Sequence, residues 1–203
     1  MNEQVDISHY KFSDYVDPKR FASFYYQLGT IMELEIQSIL EVGPGNFILK
    51  KLLPASVYYK SVDFTKNISP DITASVTAIP LKDSSFEMSA AFQVLEHIPF
   101  ELFPAALDEL ARISSKHVFI SLPNAHHEFS VSVYLPAIHK ISLKYLMPRF
   151  YKKHKFDGQH YWEVGTPGCY RRDIEKVINK KLKIIKSFVP EENPYHIFYL
   201  LSK

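Results

Sequence analysis

"LEVGPGNF", residues 40–47, decides how the rest of the chain is read. The apolar run "QSILEV" is stopped by two glycines around one proline, and "FILKKLL" follows with the spacing of a helix. Only 6 glycines occur among 203 residues, so two of them in one turn ask for a reason. A strand, a tight glycine turn and a helix start together make a cradle. Glycine lets the backbone turn sharply and lets a ligand come close, while the first amides of the helix face that ligand. Asn46 is the expected cap of the helix.

Outward from this turn the pattern repeats. "SVYYKSVDF" reads as a second strand ending at Asp63, and "PDITASVTAIPL" as a short strand followed by a loop around Pro80. "SFEMSAAFQVL" is a central strand, "FELFPAALDELARIS" a helix with proline in its first turn, and "KHVFISLP" a fifth strand. Alternating strands and helices predict a parallel sheet covered on both faces. "YRRDIEKVINKK" reads as a further helix. After it, "LKIIKSFV" and "HIFYLLS" are separated only by "PEENPY", which is too short for a crossover, so they are expected to form an antiparallel hairpin at one edge.

Residues 1–203 are read as a single domain. Within it, 1–35 is expected to form an N-terminal helical cap, and 124–168 an irregular insertion or lid. That insertion is far longer than the roughly 2–6 residues of an ordinary loop between helix and strand. Its position after the fifth strand puts it at the strands' C-terminal edge, where open sheets of this class bind ligands.

Composition sets limits. Hydrophobic residues make up 46% and charged residues 23%, a globular mix, and a net charge of +2 gives no reason to expect nucleic acid. Cys169 is the single cysteine, which rules out an internal disulfide and a cysteine-based zinc site. The polar start of the chain lacks a signal-peptide core and no run is long enough to span a membrane, so a cytoplasmic protein is expected.

Asp63, at the end of the second strand, can accept hydrogen bonds from both ribose hydroxyls of an adenosine, and Phe64 can cover the adenine. Of adenosine cofactors, a nicotinamide dinucleotide prefers G-x-G-x-x-G, but "GPGNFI" has Ile48 at the third glycine position. A phosphate loop would need "GK[ST]", which the chain lacks. Glu41, just ahead of the turn, repels phosphate and welcomes an ammonium group.

"ILEVGPGNF", "SVDF", "DITASVTAIPLKDSSFEM", "AFQVLEHIP" and "LDELARISSKHVFISLPN" resemble, in order and spacing, the class I S-adenosylmethionine-dependent methyltransferases, with the ubiquinone-biosynthesis group as the nearest small-molecule type. The resemblance covers roughly residues 37–124. It implies a Rossmann-like α/β fold with a mostly parallel seven-stranded sheet, an antiparallel C-terminal hairpin, and S-adenosyl-L-methionine as cofactor. It places Glu41, Gly43 and Gly45 beneath the methionine part, and Asp63 on the ribose with Phe64 beside the adenine. Ser75, standing where the family often has aspartate, and Val76 border the adenine, while Phe92 and Gln93 lie beside the sulfonium. Phe47 replaces the family's third motif glycine.

Methyl transfer from a sulfonium mainly needs an acceptor lone pair aligned with the methyl carbon and water excluded. A general base helps only when the acceptor must lose a proton. His160 with Glu163, in "DGQHYWEVG", and His97, in "VLEHIP", are the candidate catalytic residues. No metal site is assigned. His126, His127 and His160 would make one only with a geometry that sequence does not reveal. The expected acceptor is a small molecule or glycan-type compound. The alternative is a catalytically silent S-adenosylmethionine-binding protein with a regulatory or scaffolding role. The absence of an "NPPY"-type tetrapeptide speaks against methylation of amide nitrogens. Residues 138–155 mix Lys140, Lys144, Arg149, Lys152, Lys153 and Lys155 with apolar side chains. Such a stretch suits a peripheral membrane contact, a docking face for anionic substrate, or a solvated helix face.

Overall fold

The strand that carries "LEV" is β1 (Ser38–Val42), and its Ile39, Leu40 and Val42 are all buried, as a strand covered on both faces requires. The structure, a computed structural model, describes residues 16–135, 138–148 and 154–203. Ahead of β1 lies α1 (Pro18–Glu33), opened by Pro18 in its first turn and by the Asp17 side chain, which accepts the Arg20 amide at 2.7 Å. After β1 come α2 (Ile48–Leu52), β2 (Tyr58–Asp63), β3 (Ile72–Thr73) and β4 (Phe86–Phe92). Two tight single turns, Leu95–His97 and Phe100–Leu102, lead into α3 (Phe103–Ile113) and β5 (Ser114–Pro123). The chain continues through β6 (His126–Leu135), β7 (Ile138–Pro148), α4 (Arg171–Ile178), β8 (Lys183–Phe188) and β9 (His196–Ser202).

Seven strands form one sheet in the order β3-β2-β1-β4-β5-β9-β8. The first five run parallel, while β9 pairs antiparallel with both β5 and β8. The expected sheet and its terminal hairpin are therefore both present, with β8 at the edge. Side chains alternate between two cores. Val118, Ile120 and Leu122 of β5 join α3, α4 and Trp162 on one face. Phe119 meets Phe92, Phe198 and Ile31 of α1 on the other. Where the N-terminal helix begins, Ser23 is buried against His196 Nδ1 at 2.9 Å, so α1 reaches from the sheet face to its C-terminal edge. Of the expected cap, residues 1–15 lie outside the described residues.

Two local expectations change. The helix after the glycine turn has five residues, because Pro54 stops it, and its preceding residue is Phe47 with φ +59°. Asn46 still helps, its Oδ1 accepting the Ile48 amide at 3.3 Å. The insertion is not irregular throughout: β6 and β7 pair as a two-stranded antiparallel sheet. Phe129, Val131 and Val133 alternate along β6, hence on one face, and are all exposed, as is Leu143 opposite Val131. The side chains of Lys140, Lys144, Arg149, Lys152 and Lys153, and with them most of the expected basic face, lie outside the described residues. No helix among the described residues is long and apolar enough to cross a membrane.

Candidate active site

From β1 the chain moves outward to β2 and β3, then returns past β1 to build β4 and β5 on the other side. The reversal opens a crevice at the C-terminal ends of β1 and β4, where a ligand can sit between diverging connections. Gly43 and Gly45 occupy that point with φ of +67° and +54°. The Gly43 amide donates to Val62 O at 2.8 Å, which ties the turn to β2. A methyl group on Gly43 would overlap Val94 Cγ2, so glycine is needed there for space as well as for conformation. Across the crevice, Gln93 is also left-handed at φ +55°, with its amide donating to Ser121 O at 3.0 Å and its Nε2 to Ser121 Oγ at 3.2 Å. Phe47 and Gln93 are side-chain-bearing residues held in a conformation that costs about 1–2 kcal/mol, and both sit at this switch.

Each residue expected at the cofactor can now be located. Asp63 ends β2; its Oδ1 accepts the Thr65 amide at 2.9 Å, which orients the carboxylate at the strand tip. Phe64 beside it is 42% exposed, an apolar ring left uncovered next to that carboxylate. Ser75 spends its hydroxyl locally, within 2.9 Å of Thr77 Oγ1, and Val76 is buried in the larger core. Phe92 turns its ring into the smaller core, 5.1 Å from the Phe119 ring. Any contribution of Phe92 to the crevice is therefore through its backbone.

Glu41 lies beneath the turn rather than on its surface. It is 4% exposed and accepts the Tyr59 hydroxyl at 2.5 Å. Burial pushes its carboxyl up to about 7, against the opposing pull of the Tyr59 hydrogen bond. Because the native state holds this proton more tightly than the unfolded chain, the contribution to stability is complete below the usual glutamate range. It is lost as pH rises through about 7. Glu41→Gln keeps an acceptor for Tyr59 and removes the titration. Its unfolding free energy relative to wild type is expected to improve by about 2 kcal/mol between about pH 5 and about pH 8. Urea unfolding of both proteins at the two pH values measures this, and parallel curves would rule it out.

The candidate catalytic residues converge. The His97 and His160 rings pack edge to face at 5.0 Å, and His160 Nδ1 lies 3.1 Å from Glu163 Oε1. The Tyr195 hydroxyl donates to the same Glu163 oxygen at 2.7 Å, and His154 Nδ1 is 3.8 Å from Oε2. Burial opposes charge on Glu163, yet the hydrogen bonds from His160 and Tyr195 outweigh it and hold the carboxyl below its usual range. Burial likewise opposes charge on His160, but the Glu163 hydrogen bond and the nearby Glu96 and Glu163 charges leave it raised. Residues 160–164 are held against the sheet edge by backbone bonds from Tyr161 N to Glu96 O (2.8 Å) and from Val164 N to Pro123 O (2.9 Å). Trp162 seals the attachment, its Nε1 donating to Ile98 O at 3.0 Å while the ring packs on Phe100 and Phe103.

His126 stands apart from this cluster, with its Nδ1 bonded to Asn124 O at 2.6 Å, and the side chain of His127 is outside what is described. Of the histidines considered together from sequence, His160 is the one found in this cluster among the described residues. Sequence reading missed three participants: His154, Tyr195 and above all Glu96, which is fully buried. Burial pushes the Glu96 carboxyl up to about 7, with His160 pulling it down and Glu163 pushing it further up. The only signal for Glu96 was its place beside His97 in "LEH".

A seven-stranded sheet with this order, an antiparallel final pair and a glycine turn at the switch is the Rossmann-like fold of the class I methyltransferases. No protein-family model matches the chain, and no curated protein is similar to it by sequence. Among solved structures it is similar to 1,6-didemethyltoxoflavin-N1-methyltransferase of Burkholderia thailandensis, with bound 1,6-didemethyltoxoflavin and S-adenosylhomocysteine. That match has a TM-score of 0.63 at 10% identity and covers 97% of this chain and 84% of the other. It is also similar to the magnesium protoporphyrin IX methyltransferase of Synechocystis PCC 6803 with bound SAM (TM-score 0.55, 10% identity, 91% and 80% covered). A third is a glycopeptide N-methyltransferase complexed with S-adenosyl-L-homocysteine (TM-score 0.54, 9% identity, 93% and 90% covered).

Proposed function

We propose that this chain is an S-adenosylmethionine-dependent methyltransferase acting on a small-molecule or glycan-type acceptor. The observation that carries the proposal is the pairing of Gly43 with Val94, which brings the turns after β1 and β4 too close for any side chain at residue 43. Such a close approach at the switch point suits a ligand lying flat over the backbone. The solved structures that share the fold and are named as methyltransferases support the same reading. The bound cofactor supplies a methyl group on a sulfonium, with a neutral thioether as leaving group.

The protein's own part is positioning. Asp63 holds the ribose hydroxyls, Phe64 covers the adenine, and the turn at Gly43 and Gly45 underlies the amino-acid tail. Gln93, clamped to Ser121, borders the reacting end. On the acceptor side, His97, His160 and Glu163 form a polar wall. Glu163 fixes the His160 ring, and Tyr195 fixes Glu163. Trp162 holds this segment down, which keeps the wall in register with the crevice and excludes water.

Calorimetric titration with S-adenosylmethionine, S-adenosylhomocysteine and NAD tests the proposal. The first two are expected to bind and NAD to give no heat, since Ile48 takes the position a dinucleotide site reserves for glycine. No heat from S-adenosylmethionine on folded protein would end it. Binding without turnover against an acceptor library would leave a cofactor-binding protein instead of an enzyme.

A further inference from the structure

Glu96 is 0% exposed, and neither of its carboxylate oxygens meets a hydrogen-bond partner among the described residues. An unpaired buried carboxylate costs several kcal/mol unless it is neutralised or finds a cation. Two imidazoles stand beside it: one donor atom from each of Glu96, His97 and His160 lies within 4.8 Å of the others. The two rings are also set in a defined tautomer. His97 Nδ1 faces Gln159 O at 3.0 Å, and a carbonyl oxygen only accepts, so Nδ1 carries the hydrogen. His160 Nδ1 faces Glu163 Oε1 at 3.1 Å, an oxygen that already accepts from Tyr195, so Nδ1 carries the hydrogen there too. In their neutral forms both rings then bear their lone pair at Nε2.

Imidazoles fixed through Nδ1 by a carboxylate or a backbone carbonyl, next to an unpaired carboxylate, have the outer-shell arrangement of metal-binding histidines. We propose that Glu96, His97 and His160 bind one divalent transition-metal cation, with Glu163, Tyr195 and the Gln159 carbonyl orienting the ligands. Two imidazoles and one carboxylate suit Zn2+, Co2+, Mn2+ or Fe2+ better than Mg2+ or Ca2+, which favour all-oxygen sites. Three protein donors leave coordination positions open. Those positions suit an acceptor that offers hydroxyl or anionic oxygens, which narrows the acceptor class; that last step rests on the methyltransferase reading, whereas the cation site does not.

The test uses the full chain without a polyhistidine tag, stripped with chelator and titrated with Co2+ and separately with Zn2+. Three signals are read: the visible d–d absorption of Co2+, the fluorescence of Trp162, and the shift of the melting temperature with Zn2+. Trp162 is the chain's single tryptophan and bonds to Ile98, the residue that follows His97. One equivalent of Co2+ is expected to give a d–d band, to change the fluorescence and to be displaced by Zn2+. Zn2+ is expected to raise the melting temperature as a ligand of the native state does. Glu96→Gln and His160→Gln are expected to abolish the band, and Glu163→Gln to weaken binding about 10-fold, as loss of an outer-shell partner does. No band and no thermal shift in the wild-type chain would overturn the proposal, as would a band that survives Glu96→Gln, since that marks surface histidines. S-Adenosylmethionine titrated into the same samples separates the two readings. Metal binding without cofactor binding keeps the cation site and ends the methyltransferase reading, and the reverse result does the opposite.

Discussion

Gly43→Ala is expected to lose about 2–5 kcal/mol of unfolding free energy and most of the affinity for S-adenosylmethionine. Two separate costs combine. A side chain at φ +67° is strained by roughly 1–2 kcal/mol, and the new methyl must push aside Val94 Cγ2 in the packed floor of the crevice, at a further cost of about 1–3 kcal/mol. The two are separable. Val94→Ala makes room for the methyl but does not alter the backbone angle, so the double variant should recover the packing part and keep the conformational part. A double-mutant cycle by urea unfolding measures that coupling. Gly43→Ala within about 0.5 kcal/mol of wild type, the range of an ordinary surface change, would show that the turn is not held as described.

Asp63→Ala is expected to weaken S-adenosylmethionine binding by about 3 kcal/mol, roughly 150-fold, because hydrogen bonds to an ionised carboxylate are each worth about 1.5–3 kcal/mol. Alanine also removes the acceptor for the Thr65 amide, which could disturb the loop that follows β2. Asp63→Asn controls for this: it keeps an acceptor oxygen for Thr65 and loses the charge. Calorimetry on both variants should show Asp63→Asn folded as wild type and still impaired. Unchanged affinity in Asp63→Ala would remove the ribose contact from the proposal.

The centre of the sheet was legible because β1, β4, β5 and β9 are buried along most of their length and so are written as largely apolar runs. "SILEV", "SAAF" and "HVFISL" need no tertiary information to be recognised, and the short "PEENPY" link dictated an antiparallel end. The hairpin of β6 and β7 was missed although "FSVSVYL" alternates as an exposed strand does. The length of the insertion led to a reading as a lid, and the two-residue period went unused. Within the site, His97, His160 and Glu163 could be named from residue chemistry. Their assembly could not, because it depends on Trp162 anchoring a distant segment beside the turn that holds Glu96 and His97. Glu41 shows the same limit. Its burial follows from the β1–β2 register, which brings Tyr59 within reach, and register is not written in either strand alone.

The position of β9 has a consequence for how the molecule comes to exist. That strand is buried along nearly its whole length and lies between β5 and β8, so β5 lacks its partner, and Glu163 its bond from Tyr195, until this segment arrives. Pairing β5 with β9 joins parts of the chain far apart in sequence, an arrangement that slows folding. Until then, β5 presents an unpaired edge able to recruit strands from other molecules. Shortening the chain by its last strand should therefore yield aggregates during expression, not a trimmed protein with one face missing.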